Sequence, residues 1–442
     1  MRLPRALILS ALSLALTTAH GADLLSLYRE AVNQDPLVAS ARASLQAARE
    51  RVLQAEAGNG FSAGVNAAAN ANYFDLHVRT LPNAQTDRAY LTASVQAYAT
   101  KPLIRPANNV AIEQATAATA ITELALQAAQ MDVANRLSQA YFDVLLAQDN
   151  VTLVQAQKTA VSEQLAQARR NFEVGTATIV DTNEAQSRFD QVVAQEIAAK
   201  NELDRTRWAL RNVVGRYEIN LKRLRTSAQM PAPNPANMEA WVTRAEKEAF
   251  AVRIALQTLA VSEYDVRRAQ TGKDWTLDGT ANLTHSQSTG SASSGFGTWS
   301  NSGLIGITFN WPFDVSGGVN ARVRETLALV DKNRNDIESA RRTAGFNVRQ
   351  SYLGVTSGVA SVAAQQQALK SAETTLASTK LGLEVGVRTN LDVLNAQQQV
   401  TQVQRDLLLA RYNTLLNELR LKAATGVLGE DDIRATNAFL TD

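Results

Sequence analysis

Two copies of one short pattern hold the side chains best suited to chemistry. Val174-Gly175-x-x-Thr178-x-x-Asp181 and Val385-Gly386-x-x-Thr389-x-x-Asp392 lie 211 residues apart. In each, the threonine and the aspartate have the spacing of a helix capping box, where a hydroxyl takes a backbone amide and a carboxylate returns the bond. An aspartate in a first helical turn also complements the helix dipole, typically by about 0.3–1 kcal/mol. Arg388 falls between the second glycine and its threonine and fills no cap position. Other reactive groups are scarce. The 442 residues include no cysteine and three histidines, His20, His77 and His285. Disulfide frameworks, thiol nucleophiles, cysteine-ligated metals and an N-terminal lipidated cysteine are thereby excluded. Imidazole-based hydrolysis has little to draw on. No nucleophile, metal-ligand or phosphate-loop constellation stands out, so no enzyme, metal or cofactor is expected.

The elements around these patterns are long helices. Between Pro106 and Pro231 there is no proline, and the glycines there are Gly175 and Gly215. From Val319 to the C-terminus proline is again absent. Both stretches are rich in Ala, Gln, Leu, Glu and Arg, which are strong helix formers. Ala107 to Val174, taken as one helix, would run roughly 100 Å at ~1.5 Å per residue. Spacings of four and three link Val133, Leu137, Ala140, Val144, Ala147, Val151, Val154, Lys158, Val161, Leu165, Ala168 and Phe172. That is a coiled-coil stripe with one charged member. The spacing predicts Lys158 as an interface residue that extends its ammonium to the edge.

The chain repeats itself. Beyond the two patterns, Gln139, Tyr141 and Gly215 return at the same offset as Gln350, Tyr352 and Gly426. Upstream the offset is 214: Leu45, Val52 and Ala55 return as Leu259, Val266 and Ala269. A period this long marks a duplication and not a solenoid repeat. The expected division is a leader over 1–22, a first repeat over 23–229, a Pro-rich linker over 230–238, a second repeat over 239–426 and a C-terminal segment over 427–442. The leader carries Arg2 and Arg5, an apolar run from Ala6 to Leu16 and small residues beyond, the plan of an export signal. Removing it takes the 44 basic residues to 42, matching the 42 acidic ones. No basic block remains to attract nucleic acid.

Each repeat interrupts its helices with two stretches that alternate apolar and polar residues, about 61–76 and 89–100, then about 275–286 and 302–313. Val65, Ala67 and Ala69 oppose Asn66 and Asn70; Leu91, Ala93 and Val95 oppose Thr92 and Ser94. Leu277, Ala281 and Leu283 oppose Asp278, Thr280 and Asn282; Ile305, Ile307 and Phe309 oppose Thr308 and Asn310. Each run is long enough to cross a bilayer as a tilted strand, and Tyr90, Trp275, Trp311 and Phe313 near the run ends suit aromatic girdles. A soluble β-domain with its apolar face on a core is the alternative. Four strands cannot close a barrel, and lipid forbids an open edge. Two copies would supply eight strands and three would supply twelve; a conduit needs the larger number.

These features together resemble the TolC-like outer-membrane channel tunnels. The likeness covers nearly all of the mature chain. It includes Asn33-Gln34-Asp35-Pro36, the duplicated helix–strand–strand–helix plan, Pro312-Phe313-Asp314-Val315-Ser316-Gly317-Gly318 and Gly426-Val427-Leu428-Gly429-Glu430-Asp431-Asp432. Most specific are the two tip segments Phe172–Asp181 and Leu383–Asp392. The resemblance implies an α+β membrane protein: a homotrimer with a twelve-stranded transmembrane β-barrel, four strands per protomer, and a long α-helical coiled-coil tunnel in the periplasm. It implies a passive exit duct for small toxic compounds or type I secreted polypeptides. Its partners would be outer-membrane lipid, a periplasmic adaptor and an inner-membrane ABC, RND or MFS-type transporter. The segments Gly215–Met238 and Gly426–Asp442 would form a belt around the tunnel.

The same resemblance implies that the helical tips form the periplasmic mouth. Val174, Gly175, Thr176, Val385, Gly386 and Val387 are then the adaptor-docking residues. Asp181 and Arg388 become members of a network that constricts the closed tunnel, and Asp392 a ring of three carboxylates with raised pKa values. Asn395 stands where the family can carry a second acidic ring, and Leu383 where it can carry a gate tyrosine, so apolar packing is expected to weigh more in the closed state. For Asp181 and Asp392 helix capping remains the competing explanation. Two other readings compete at the level of the whole chain. A periplasmic adaptor also uses long α-hairpins, but usually one hairpin flanked by compact β-domains. A structural envelope spacer would not need strands with small polar residues on one face.

Overall fold

The computed structural model describes residues 22–77, 85–216, 220–225, 229–292 and 295–441. The leader, apart from Ala22, lies outside them with His20, as does the side chain of His77. The described elements follow in the order α1 (Leu24–Gln34), α2 (Pro36–Ala57), β1 (Ser62–His77), β2 (Gln85–Ile104), α3 (Pro106–Glu173) and α4 (Ile179–Val214). The second half repeats the order: α5 (Met238–Glu248), α6 (Phe250–Gln270), β3 (Thr276–Ser288), β4 (Thr298–Asn310), α7 (Gly318–Glu384) and α8 (Asn390–Ala424), and α9 (Glu430–Asn437) then ends the chain. Two compact units result. One holds Met1–Ala39, Ala128–Ala249 and Thr343–Asp442; the other holds Ser40–Gln127 and Phe250–Arg342.

The second unit carries the sheet. Its four strands are antiparallel in the order β1-β2-β3-β4, so β1 and β4 are edges. The register puts Val65, Ala97, Leu283 and Gly303 in one row and Ala63, Ala99, Ala281 and Ile305 in the next. The apolar face of one strand therefore continues across all four. Its large side chains are uncovered: Val65, Leu283, Ile305 and Ile307 are all exposed, Ile305 at 91%. A soluble sheet would bury such a face on a core, and none covers it among the described residues. His285 falls on this face beyond Leu283, where its ring pairs with Asn301 at 2.7 Å.

Two strands depart from the ends that alternation suggests. β2 starts at Gln85 and runs to Ile104, because its backbone keeps pairing with β1 through polar residues and, past an irregularity at Pro102, with β3. β4 runs Thr298–Asn310 and ends before Trp311-Pro312-Phe313. Pro312 has no N–H to add to a ladder. Trp311 and Phe313 instead stack with centroids 5.3 Å apart.

The first unit is built on the heptad stripe. Val133, Leu137, Ala140, Val144, Ala147, Val154, Val161, Leu165 and Ala168 of α3 are buried. From Val154 to Ala168 they join Ala185, Val192 and Ala199 of α4 and Leu394 of α8 in one cluster. The charged member of the stripe, Lys158, reaches Glu196 on α4 at 2.7 Å, and Lys200 closes on the same carboxylate at 2.6 Å. The repeated tyrosines do more than pack. Tyr141 donates to Lys222 O at 2.8 Å and Tyr352 to Ala236 O at 2.9 Å, so equivalent side chains hold two points of the segment joining the repeats. Two further residues meet that segment: Ala22 bridges Leu221, and Leu440 bridges Leu224.

Candidate functional site: the two hairpin tips

Both tips belong to the first unit, and their backbones match almost atom for atom. After α3, Gly175 sits at φ +79, and Thr176 N–H donates to Asn171 O at 2.8 Å. After α7, Gly386 sits at φ +81, and Val387 N–H donates to Gly382 O at 2.9 Å. A left-handed residue followed by this long return bond is the Schellman ending, and it is why glycine stands at both positions.

The following helices start alike. Thr178 N–H and Oγ1 donate to Asp181 Oδ2 at 2.9 and 2.8 Å, and Asp181 N–H donates to Thr178 Oγ1 at 3.2 Å. Thr389 and Asp392 repeat the set at 2.9, 2.9 and 3.2 Å. Both aspartates are therefore capping-box residues within the chain. Backbone and side-chain bonds from Thr389, aided by Arg388, hold the Asp392 carboxyl below the ordinary aspartate range.

Arg388 is exposed, and no hydrogen bond or ion pair joins it to Asp181 within one chain. Its stem lies against α7 at Gly382, where an added Cβ would come within 2.7 Å of Arg388 Cγ. Leu383 is half-buried, and its carbonyl accepts from Gly386 N–H at 3.1 Å. Asn395 is exposed and held by Arg188 of α4, whose Nη2 donates to Asn395 Oδ1 at 3.1 Å. The turn residues are uncovered: Val174 is 72% exposed, Val385 66% and Val387 75%.

Arg188 and Gly382 were not singled out by sequence reasoning. The signal available was a break in the repeat: at the offset of 211, Arg188 faces Gln399, Gly382 faces Asn171 and Arg388 faces Ala177. The shared backbone accounts for the repeated residues, and the unpaired ones carry what is particular to each tip.

The profile of the outer membrane efflux protein family matches residues 27–216 and again 241–427, once for each repeat. The chain belongs to that family. It is 29% identical to the outer membrane protein TolC of Vibrio cholerae over 420 residues, covering 95% of this chain and 94% of that protein. To TolC of Escherichia coli it is 33% identical over 333 residues, covering 73% of this chain and 67% of that protein. The fold is similar to the Campylobacter jejuni CmeC outer membrane channel, with a TM-score of 0.78 at 14% identity over 100% of this chain and 98% of that one. Membership makes the chain a non-enzymatic exit duct of the outer membrane. Its four strands are one protomer's part of a transmembrane barrel, and its long helices belong to the tunnel. No described helix is long and apolar enough to cross a membrane.

Proposed function

We propose that three copies of the chain form a passive duct whose barrel crosses the outer membrane and whose closed end is set by the hairpin tips. The observation that carries this is the open sheet: four strands with an exposed apolar face and two unpaired edges, β1 and β4. Lipid tolerates strands only in closed barrels, so neighbouring copies must supply the missing pairs. Twelve strands leave a channel where eight would fill with side chains. Polar-face residues such as Ser94, Gln96, Thr284 and Ser302 suit a water-lined lumen. The leader over 1–22 directs export and is removed, and the two repeats, 23–229 and 239–426, each contribute one strand pair and one helical hairpin.

In this reading Asp181 and Arg388, which do not pair within a chain, meet across copies, and Asp392, Asn395 and Leu383 line the narrowing. The exposed valines Val174, Val385 and Val387, with Gly175, Thr176 and Gly386, dock the apolar tips of a periplasmic adaptor that links an inner-membrane transporter. Small toxic compounds and type I secreted polypeptides pass through the same duct. The test is single-channel conductance of the purified mature protein in a planar bilayer, alone and with Arg388→Ser plus Asp181→Ala. Small steps that grow in the variant support a gate at the tips. Absence of conductance from a verified, folded oligomer would overturn the duct.

A further inference from the structure

We propose that Arg188 is the latch holding the second helical hairpin against the first near the tips, and that it is built to release. The inference rests on the gate reading above. Arg188 lies seven residues, about two turns, beyond the Asp181 cap on α4. One guanidinium reaches three acceptors: Nη2 to Asn395 Oδ1 at 3.1 Å, and Nη1 to Gln398 Oε1 at 3.2 Å and to Gln191 Oε1 at 3.3 Å. Asn395 and Gln398 are three apart on α8, so they share a face and the fork grips both.

Over this span Arg188 has no polar helper. Between Asn390 and Asp406 of α8, its bonds are the hydrogen bonds to the first hairpin found among the described residues. Further along α8, Tyr412 is tied to Asp149, 14 residues past Gln398, or roughly 20 Å along the helix. Leu394 of α8 enters the α3–α4 apolar cluster, and Val393, Val400 and Val403 on the same helix are buried as well. Beside it runs a groove of about 340 Å³ between α3, α4 and α8, whose lining mixes Val154 and Ala199 with Gln157, Gln195, Gln398 and Gln402. Separating the hairpins there exposes these amides, which water satisfies at little cost.

The chemistry of the acceptors sets the strength. No carboxylate pairs with Arg188 among the described residues; all three partners are neutral amides. A guanidinium exchanges an amide for water far more readily than it gives up a carboxylate, whose charge-assisted bonds are about twice as strong. The first hairpin, by contrast, is riveted by the Lys158–Glu196–Lys200 ion cluster. The latch therefore holds the resting arrangement and yields to a bound partner that favours the parted one.

A conductance double-mutant cycle tests this in reconstituted oligomers. Arg188→Ala should raise the open fraction by about ten-fold, the scale of one hydrogen bond to a charged group. Arg188→Lys should fall between, because an ammonium cannot fork across two amides. Asn395→Asp should lower the open fraction below that of the parent, and that effect should vanish in the Arg188→Ala background. A role in folding alone would not produce this coupling. Unchanged conductance in Arg188→Ala, where Arg388→Ser plus Asp181→Ala opens the channel, would overturn the latch and leave the gate. If neither responds, gate and latch fall together. Should Arg188→Ala not assemble, parent-like conductance in both Arg188→Lys and Asn395→Asp would overturn the latch.

Discussion

The Tyr412 hydroxyl on α8 donates a 2.6 Å hydrogen bond to Asp149 Oδ2 on α3. Tyr412 is fully buried, its ring lies 5.8 Å from Phe142, and the bond joins the second hairpin to the first. Tyr412→Phe keeps the ring and leaves a half-buried carboxylate short of a donor. The expected loss is about 1 kcal/mol, the scale of one intramolecular hydrogen bond. Urea unfolding of the two proteins at neutral pH measures it. A variant as stable as the parent would mean that water already serves Asp149.

Asp149 also predicts a pH dependence. Burial pushes its carboxyl above the ordinary 3.8, while the Tyr412 bond and the Arg223 charge pull only part of the way back. A folded value above the unfolded one gives stabilisation that is full below the unfolded value and is lost as pH rises through the folded one. Asp149→Asn cannot lose a proton. Its stability relative to the parent should therefore improve between about pH 3.5 and about pH 7. Unfolding midpoints at the two pH values decide it, and a constant offset would remove Asp149 as the source.

Glu196 has the opposite sign. Hydrogen bonds from Lys158 and then Lys200 hold its carboxyl at about 2, against a smaller upward push from burial. Its stabilisation is present above the ordinary 4.5 and is lost as pH falls through about 2. Lys158→Met removes the larger contributor while keeping an apolar stem on the heptad stripe. Acid titration followed by circular dichroism should then show a smaller loss of stability across that window. An unchanged acid transition would mean that Lys200 alone suffices.

What could be read from sequence divides along physical lines. Heptad spacing placed Val133 to Ala168 on a buried stripe because helix period and side-chain polarity are local facts. Alternation likewise found the four strands. It missed the ends of β2 and β4, because pairing with β1 and β3 carries β2 beyond its alternating run and β4 stops before Pro312. The glycine turns and the capping boxes were legible, since four or five adjacent residues build each. Arg188 was not. Two of its three acceptors lie 207 and 210 residues away on another helix, and nothing near it in the chain marks them. The phenol bonds of Tyr141 and Tyr352 were hidden for the same reason: repetition flagged the residues, but their partners are backbone carbonyls that any sequence could supply.

The tip glycines allow a test of conformation free of packing. Gly175 and Gly386 sit at φ +79 and +81, and an added Cβ at either meets nothing within 4 Å. Alanine there encounters no clash, so its cost is the left-handed backbone itself, about 1–2 kcal/mol. Asparagine tolerates that region better and should cost less at the same site. A global melt could miss so local an effect, because tips open independently of the bundle. Amide exchange at Val387 and Arg388, both bonded to Gly382 O, reports the turn directly. Gly386→Ala should exchange faster there than Gly386→Asn, and both faster than the parent, with amides at Val400 and Val403 on α8 unchanged. If alanine exchanged no faster than glycine, the left-handed turn would not be what fixes the tip.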